Sequence, residues 1–164
     1  MQNQKRAAYS CADLPDAKGM RFGLVVAGWH SEITERLVRG VTETLKKNGA
    51  TPGDIIGWNV PGSFELIYGI ARMLQQHRLK LDAIIAIGCL IRGETHHFDF
   101  ISQGVTQGIK DLNVRAQIPV IFCVLTDDTW QQSRDRSGGK LSNKGVESAV
   151  AAIKMAALRR RSNA

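Results

Sequence analysis

Residues 81–87, LDAIIAI, form the stretch that decides the fold class. After Asp82 the run is continuously apolar, whereas a strand with one solvated face would alternate apolar and polar residues. It therefore predicts a strand that is buried on both faces, as in a parallel sheet. Three more strands are predicted, two of them nearly as apolar: RFGLVVA at 21–27, DIIGWNV at 54–60 and PVIFCVLT at 119–126.

Helical patterns separate these strands. After Ser31, a candidate N-cap, apolar residues recur every fourth position, and Gly49 closes the segment. Two further helices are expected from residue 64 and over about 98–114, and the last over about 144–160. The alternation predicts an α/β fold, a three-layer α/β/α sandwich around a four-stranded parallel sheet. The expected core faces are Ile33, Leu37, Val41 and Leu45, then Ile67, Ala71 and Leu74, and finally Val146, Val150, Ile153 and Ala157.

Length and composition indicate one globular domain of 164 residues, with 1–20 as a partly flexible arm and 21–164 as the domain. The polar start lacks the apolar centre of a signal peptide, and no apolar run is long enough to span a membrane, so we expect a cytoplasmic protein. Three cysteines without CxxC pairing predict no disulfide framework. The net charge of +7, spread along the chain, fits an anionic small molecule better than nucleic acid.

Polar and aromatic residues cluster where each predicted strand ends. The stretches are GWHSEIT, PGSFE, GCLIRGETHHFD and TDDTW. Open parallel sheets bind ligands beyond the carboxyl ends of their strands. We therefore expect a cavity at this edge, lined by Trp29, His30, Phe64, Glu65 and the loop 88–97 with His97. Two aromatic rings there suit stacking on a flat heterocycle, although Trp29 could instead belong to the core.

The segment IRGETHHFDFIS, residues 91–102, admits several interpretations. A metal site is disfavoured, because adjacent histidines diverge and no HExxH pattern is present. The histidines could cap a helix, lie on the surface, or transfer protons near neutral pH. Gly93 before a helix start could let backbone N–H groups hold a phosphate. Cys89 is interpreted as a packed thiol, because nothing nearby in sequence would activate it as a nucleophile.

Four motifs in this order, VPGSFEL, GCLIRGETHHFDFI, PVIFCVLT and NKGVESAVAAIKM, resemble the lumazine synthase family over about residues 21–160. The resemblance implies a flavodoxin-like sheet and the penultimate reaction of riboflavin biosynthesis. In that reaction 5-amino-6-(D-ribitylamino)uracil and 3,4-dihydroxy-2-butanone 4-phosphate give 6,7-dimethyl-8-ribityllumazine, phosphate and water. No cofactor and no metal are implied. Many members have RFN after the first strand where this chain has GWH, and the tryptophan retains a stacking face.

The resemblance also implies roles for particular residues. His97 would be the acid–base residue. The phosphate would be held by Arg136 together with the backbone at Glu94 and Thr95, and Lys144 would lie near the same site. The pyrimidine pocket would be formed by Trp29, Ser63, Phe64, Glu65, Cys89, Leu90, Ile91 and Phe122.

Family members assemble as pentamers, so the resemblance implies a homopentamer in which Phe122 and Arg136 reach the site of a neighbouring subunit. The short connection RSGGKLSNKG, residues 136–145, is like that of members that form sixty-subunit shells. Riboflavin synthase is implied as a protein partner. The alternatives are a non-catalytic flavin- or lumazine-binding protein and a mainly structural shell protein on the same scaffold.

Overall fold

A computed structural model of the chain describes residues 14–162. Its four strands, β1 Phe22–Ala27, β2 Ile55–Val60, β3 Ala83–Ile91 and β4 Val120–Asp127, form a single parallel sheet in the order β2-β1-β3-β4. The predicted α/β class and parallel sheet are therefore confirmed. Because β1 pairs with β2 on one side and with β3 on the other, the strand order reverses at the boundary between β1 and β3.

Five helices cover the two faces of the sheet: α1 Ser31–Lys47, α2 Leu66–Leu74, α3 His97–Arg115, α4 Trp130–Arg136 and α5 Lys144–Ser162. Helices α1 and α5 pack with the core on one face, and α2 and α3 pack on the other, which confirms the three layers. The short helix α4 follows β4 and was not predicted. Within residues 14–162, no helix has the length and apolarity to cross a membrane.

The two central strands divide their side chains between the two core clusters. Phe22 and Leu24 of β1 and Ile85 of β3 face α1 and α5, whereas Val25 of β1 and Ile84 of β3 face α2 and α3. All five are at most 3% exposed. Burying one such side chain contributes about 1.5–3 kcal/mol, so this pair of strands is the rigid base of the sheet.

Helix α1 has the predicted core face, because Ile33, Leu37, Val41 and Leu45 are fully buried. Its predicted N-cap is wrong. Ser31 is already the first helical residue, and the preceding His30 adopts the left-handed conformation, with φ 57° and no capping side chain. At the other end Gly49, with φ 110°, lets the Ala50 N–H reach the Leu45 carbonyl at 3.1 Å, so the predicted stop is confirmed.

The predicted face of α2 is wrong by one residue. Leu66, Ile70 and Met73 are buried against the sheet, whereas Ile67 is half-buried and fills the space beside Gly108 of α3. The reason is that α2 packs against both the sheet and α3, so apolar residues lie on two adjoining faces of α2.

In α5, Val150, Ile153 and Ala157 are buried as predicted, but Val146 is exposed. Gly145 brings the first turn of α5 close to the Leu37 carbonyl of α1, which turns the next side chain outward.

Residues 14–20, which belong to the predicted arm, pack onto the α1 and α5 side. Ala17 and Met20 are buried there, and the Ala17 N–H donates to the Asn48 carbonyl at 2.7 Å. Residues 1–13, including Cys11, lie outside the described part, so the division at residue 20 stays a prediction.

The basic carboxyl-terminal stretch is held by one buried carboxylate. Arg160 donates from Nε to Asp82 Oδ1 at 2.7 Å and from Nη2 to Oδ2 at 2.8 Å. The Arg21 N–H donates to the same carboxylate at 2.8 Å. Because a guanidinium matches a carboxylate in this bidentate manner, Arg160 fastens the end of α5 to the amino end of the sheet.

Candidate active site

A cavity of about 440 Å³ lies beyond the carboxyl ends of β1 and β3, where the strand order reverses. This is the position at which open parallel sheets bind ligands. Its walls come from the loop after β1, the loop after β2, the last residues of β3 and the first turn of α3. The lining residues are Trp29, His30, Gly62, Ser63, Phe64, Glu65, Cys89, Leu90, Ile91, Gly93, Thr95, His97, Phe98 and Ile101.

Most residues predicted for the site therefore gather in one cavity. Trp29, the segment 63–65, the segment 89–91, Thr95 and His97 line it, whereas Glu94, Phe122 and Arg136 do not. The sequence did not point to Phe98 and Ile101 as lining residues. Phe98 and Ile101 are three residues apart on α3, and Ile101 is four residues after His97. This helical spacing was the signal that could have identified them.

Two aromatic side chains leave large ring surfaces uncovered at the mouth of the cavity. Trp29 is 72% exposed and Phe64 is 51% exposed. The Trp29 N–H donates to the Pro61 carbonyl at 3.2 Å, and the Gly28 N–H donates to the Val60 carbonyl at 2.9 Å. These bonds continue the β1–β2 ladder and place the two loops side by side. The result is an aromatic surface that can stack on a flat ligand.

The wall of the cavity that Ser63 and Cys89 form is buried and held by hydrogen bonds. Ser63 Oγ donates to the Cys89 carbonyl at 3.4 Å, which ties the loop after β2 to β3. Cys89 Sγ donates to Ser133 Oγ at 3.3 Å, and Ser133 Oγ donates to Asp127 Oδ2 at 2.7 Å. Burial raises the pKa of the Cys89 thiol to about 11. Since the thiol stays protonated at neutral pH, it packs in the wall rather than acting as a nucleophile.

His97 is the first residue of α3 and is exposed at the cavity. Its N–H lies 3.4 Å from Thr95 Oγ1, and its imidazole makes no hydrogen bond with another residue in 14–162. Both ring nitrogens are thus available to a ligand. His96, by contrast, is almost fully exposed, lies outside the cavity, and has its Nδ1 3.7 Å from Asp99 Oδ2. No three His, Cys, Asp or Glu side chains within 14–162 gather as metal ligands.

The loop between β3 and α3 offers backbone donors. Among residues 14–162, the N–H groups of Glu94 and Thr95 donate to no other residue, and both residues are exposed. They immediately precede the N-terminus of the 19-residue helix α3, where the helix dipole favours an anion. The Glu94 side chain does not line the cavity, so its carboxylate need not oppose an anion at the backbone.

Arg136 lies at the end of α4, away from the cavity of its own chain. It forms a bidentate ion pair with Glu147, in which Nη1 lies 2.9 Å from Oε1 and Nη2 lies 3.2 Å from Oε2. Burial alone would raise the pKa of Glu147, but hydrogen bonds from Arg136 and Ser142 outweigh it and lower that pKa to about 2. Lys144 Nζ is 3.5 Å from the same carboxylate. Glu147 was missed because its partner lies eleven residues away across a loop.

Phe122 lies within β4, opposite Ala86 of β3, and is half-buried against the α2 and α3 side of the core. In the single chain, Phe122 is thus a core residue of β4. Both Phe122 and Arg136 therefore lie outside the cavity of their own chain, and these are the two residues that the family resemblance assigns to a neighbouring subunit.

A second cavity, of about 470 Å³, lies at the opposite end of the sheet between the last turns of α2 and α3. Its rim carries His77, Lys80 and Arg115, together with Arg159. Arg115 ends α3, where a cation offsets the negative end of the helix dipole, and Arg159 donates to the Gln117 carbonyl at 2.9 Å. None of the predicted site residues lines it, so the cavity at the carboxyl edge is the candidate site.

Comparisons with known proteins identify the family. The family model described as 6,7-dimethyl-8-ribityllumazine synthase matches residues 19–160. The 6,7-dimethyl-8-ribityllumazine synthase of Flavobacterium psychrophilum is 56% identical over 161 residues, covering 98% of this chain and 84% of the relative. That of Christiangramia forsetii is 59% identical over 152 residues, with 93% and 90% coverage. That of Parabacteroides distasonis is 50% identical over 152 residues, with 93% and 94% coverage. The chain therefore belongs to the 6,7-dimethyl-8-ribityllumazine synthase family.

Proposed function

We propose that this chain condenses 5-amino-6-(D-ribitylamino)uracil with 3,4-dihydroxy-2-butanone 4-phosphate, giving 6,7-dimethyl-8-ribityllumazine, phosphate and water in riboflavin biosynthesis. The observation that carries the proposal is one cavity at the carboxyl edge of the sheet. It joins an exposed aromatic surface to an imidazole and backbone donors that have no partner within residues 14–162. Those three features match a flat heterocycle, a proton-transfer reaction and a phosphate, respectively.

The pyrimidine is proposed to stack on Trp29 and Phe64, the two rings that are exposed at the cavity mouth. The ribityl chain would then lie against Glu65, whose carboxylate can accept hydrogen bonds from hydroxyls. The segment 89–91 supplies the wall, and its rigidity follows from the Ser63 and Ser133 contacts to Cys89. A rigid wall and two ring faces would hold the nucleophilic amine of the uracil in place.

In each step of the reaction, a bond to carbon forms or breaks and a proton is transferred. The amine attacks the ketone and one water leaves as the imine forms. Loss of a proton from carbon expels the phosphate, and after tautomerisation the second amine closes the ring with loss of another water. We assign these proton transfers to His97, because its imidazole is exposed in the cavity without a competing partner in residues 14–162. Such a group typically contributes ~10²–10⁴ in rate, and holding both substrates together contributes more.

The phosphate is proposed to bind the N–H groups of Glu94 and Thr95 at the start of α3, with a guanidinium from Arg136. In its own chain Arg136 lies outside the cavity, so a second copy would have to supply it. Glu147 would hold that guanidinium in a fixed orientation, and Lys144 would lie beside it.

We further propose a homopentamer with one site at each contact between neighbours. Phe122 would close the aromatic pocket from the adjacent subunit. The short connection at 136–145 permits pentamers to approach one another in a sixty-subunit shell. Riboflavin synthase is the proposed protein partner and the cytoplasm the proposed location.

The reaction is tested by mixing the purified protein with both substrates and following the fluorescence of 6,7-dimethyl-8-ribityllumazine together with released phosphate. The two products should appear in equal amounts, and omission of either substrate should abolish both signals. To separate catalysis from any uncatalysed condensation, the assay includes a series of protein concentrations, and the rate must rise in proportion to them. Tight product binding without such an increase would favour the non-catalytic flavin- or lumazine-binding alternative.

A further inference from the structure

Arg92, the first residue after β3, contacts three residues near the cavity, of which Phe98 lines it. Its Nε donates to Asp128 Oδ1 at 2.7 Å, and its Nη1 donates to Asp99 Oδ1 at 2.9 Å. Its guanidinium carbon lies 4.4 Å from the centroid of the Phe98 ring. Phe98 and Asp99 are the two residues that follow His97 in the first turn of α3. Arg92 therefore connects the ends of β3 and β4 to the turn that carries His97.

The start of α3 has few other constraints. His96, at the N-cap position, makes no capping hydrogen bond through its side chain. The His97 N–H has only a long contact to Thr95 Oγ1, at 3.4 Å. Helix starts without a capping side chain are less stable and fray in their first turn. The placement of the His97 imidazole thus depends on what holds its two successors, and both contact Arg92.

We infer that Arg92 is a positioning residue for His97: it fixes the first turn of α3 so that the imidazole stays in the cavity. The inference rests on the proposed function, in which His97 transfers protons. Arginine suits this task because its planar group can bond carboxylates along its edge while its face stacks on a ring.

A direct role for Arg92 in phosphate binding is disfavoured by the same contacts. Two of its five N–H donors are already used, and the two carboxylates of Asp99 and Asp128 offset its charge. The phosphate would therefore find a more favourable partner in the unpaired backbone donors of Glu94 and Thr95.

The contacts of Arg92 affect geometry more than stability. The side chains of Arg92, Asp99 and Asp128 are 42%, 49% and 66% exposed, and ion pairs this exposed contribute little to folding. Their loss should leave the chain folded. It should nevertheless lower the rate, because a small displacement of a catalytic group costs rate steeply.

A double-mutant cycle in the full chain tests the inference. Arg92→Ala should lower kcat by roughly fivefold to tenfold, with the KM of both substrates nearly unchanged, and Arg92→Lys should recover only part of the loss. In a His97→Ala background, Arg92→Ala should cause no further loss, since it acts through the imidazole. An equal loss in both backgrounds would overturn the inference, as would a rise confined to the KM of the phosphorylated substrate.

One control variant, and the separate results of His97→Ala and Arg92→Lys, keep the outcomes distinct. Lys110→Ala also removes an exposed ion pair from α3, with Asp111, but far from the cavity, and it should leave kcat unchanged. If His97→Ala alone leaves kcat unchanged, the proposed role of His97 fails, whatever Arg92 does. If the rate of His97→Ala is too low to measure, the Arg92→Lys variant decides: full activity in that variant contradicts a positioning role that depends on the planar guanidinium.

Discussion

Glu147→Gln should destabilise the protein in a pH-dependent way, because it removes one charge from a largely buried pair while keeping the side-chain shape. The side chains of Arg136 and Glu147 are only 19% and 18% exposed, and two nitrogen–oxygen contacts of 2.9 and 3.2 Å join them. Ser142 and Lys144 also contact the carboxylate. The substitution replaces the charged two-oxygen acceptor of Arg136 with one neutral amide oxygen, and the two Ser142 acceptors are also neutral.

The magnitude follows from the pKa of Glu147. A carboxyl whose pKa falls from 4.5 to about 2 on folding stabilises the folded state by roughly 3 kcal/mol at neutral pH, and partial screening by solvent reduces this to about 2 kcal/mol. Because the folded pKa is depressed, this contribution is complete above pH 4.5 and is lost as the pH falls towards 2.

Urea unfolding of both proteins at pH 7, 4 and 3 measures the difference. All samples need the same protein concentration, because association would shift the apparent stability. We expect Glu147→Gln to lose about 2 kcal/mol at pH 7 and progressively less below pH 4.5. Glu43→Gln, a matched change at an exposed position on α1, should stay within about 0.5 kcal/mol at every pH. A loss that is the same at all three pH values would refute the electrostatic explanation.

Three further predictions concern the site. In steady-state assays His97→Ala should lower turnover by ~10-fold or more, and His96→Ala should lower it much less. The reverse order would assign the acid–base role to His96. Arg136→Ala should chiefly raise the KM of the phosphorylated substrate, and Arg136→Lys should recover part of the loss. An equal rise in the KM of both substrates would indicate that Arg136 has a structural role instead. Alkylation of Cys89 at pH 8, followed by mass spectrometry, should be roughly two orders of magnitude slower in the folded than in the unfolded protein, because its pKa is about 11 and it is buried; equal rates would contradict this.

The sheet could be predicted from sequence because burial on both faces leaves a direct signature. The run in β3 has no polar residue between Ala83 and Ile87, which indicates a strand covered on both faces, and the alternation with helices favours a parallel sheet. The position of the cavity followed from the same fact, since all parallel strands end at one edge. Helix α4 was missed because its seven residues make only about two turns, too few for a repeated apolar pattern. Its clearest signal is the capping box of Thr129 and Gln132.

The incorrect predictions concern helices that pack against two other elements or begin without a capping side chain. The face of α2 was misjudged by one residue because both the sheet and α3 cover it, so Ile67 is apolar without facing the sheet. Ser31 was taken for a cap because of its residue type, although the chain turns through a left-handed His30 instead. The Arg136–Glu147 pair depends on how the connection 136–145 folds back, which periodicity does not encode.

The proposed sharing of one active site between subunits is tested most directly by complementation. His97→Ala and Arg136→Ala subunits, carrying different tags, are co-expressed in equal amounts and the mixed assembly is purified through both tags. The assay uses the phosphorylated substrate at a concentration well below the KM of the Arg136→Ala parent, so that sites lacking Arg136 contribute little. If His97 and Arg136 come from different subunits, about one neighbouring pair in four combines an intact copy of each, so roughly a quarter of wild-type activity should return. Activity no higher than that of the two parent variants would contradict the shared site and show that each chain works alone.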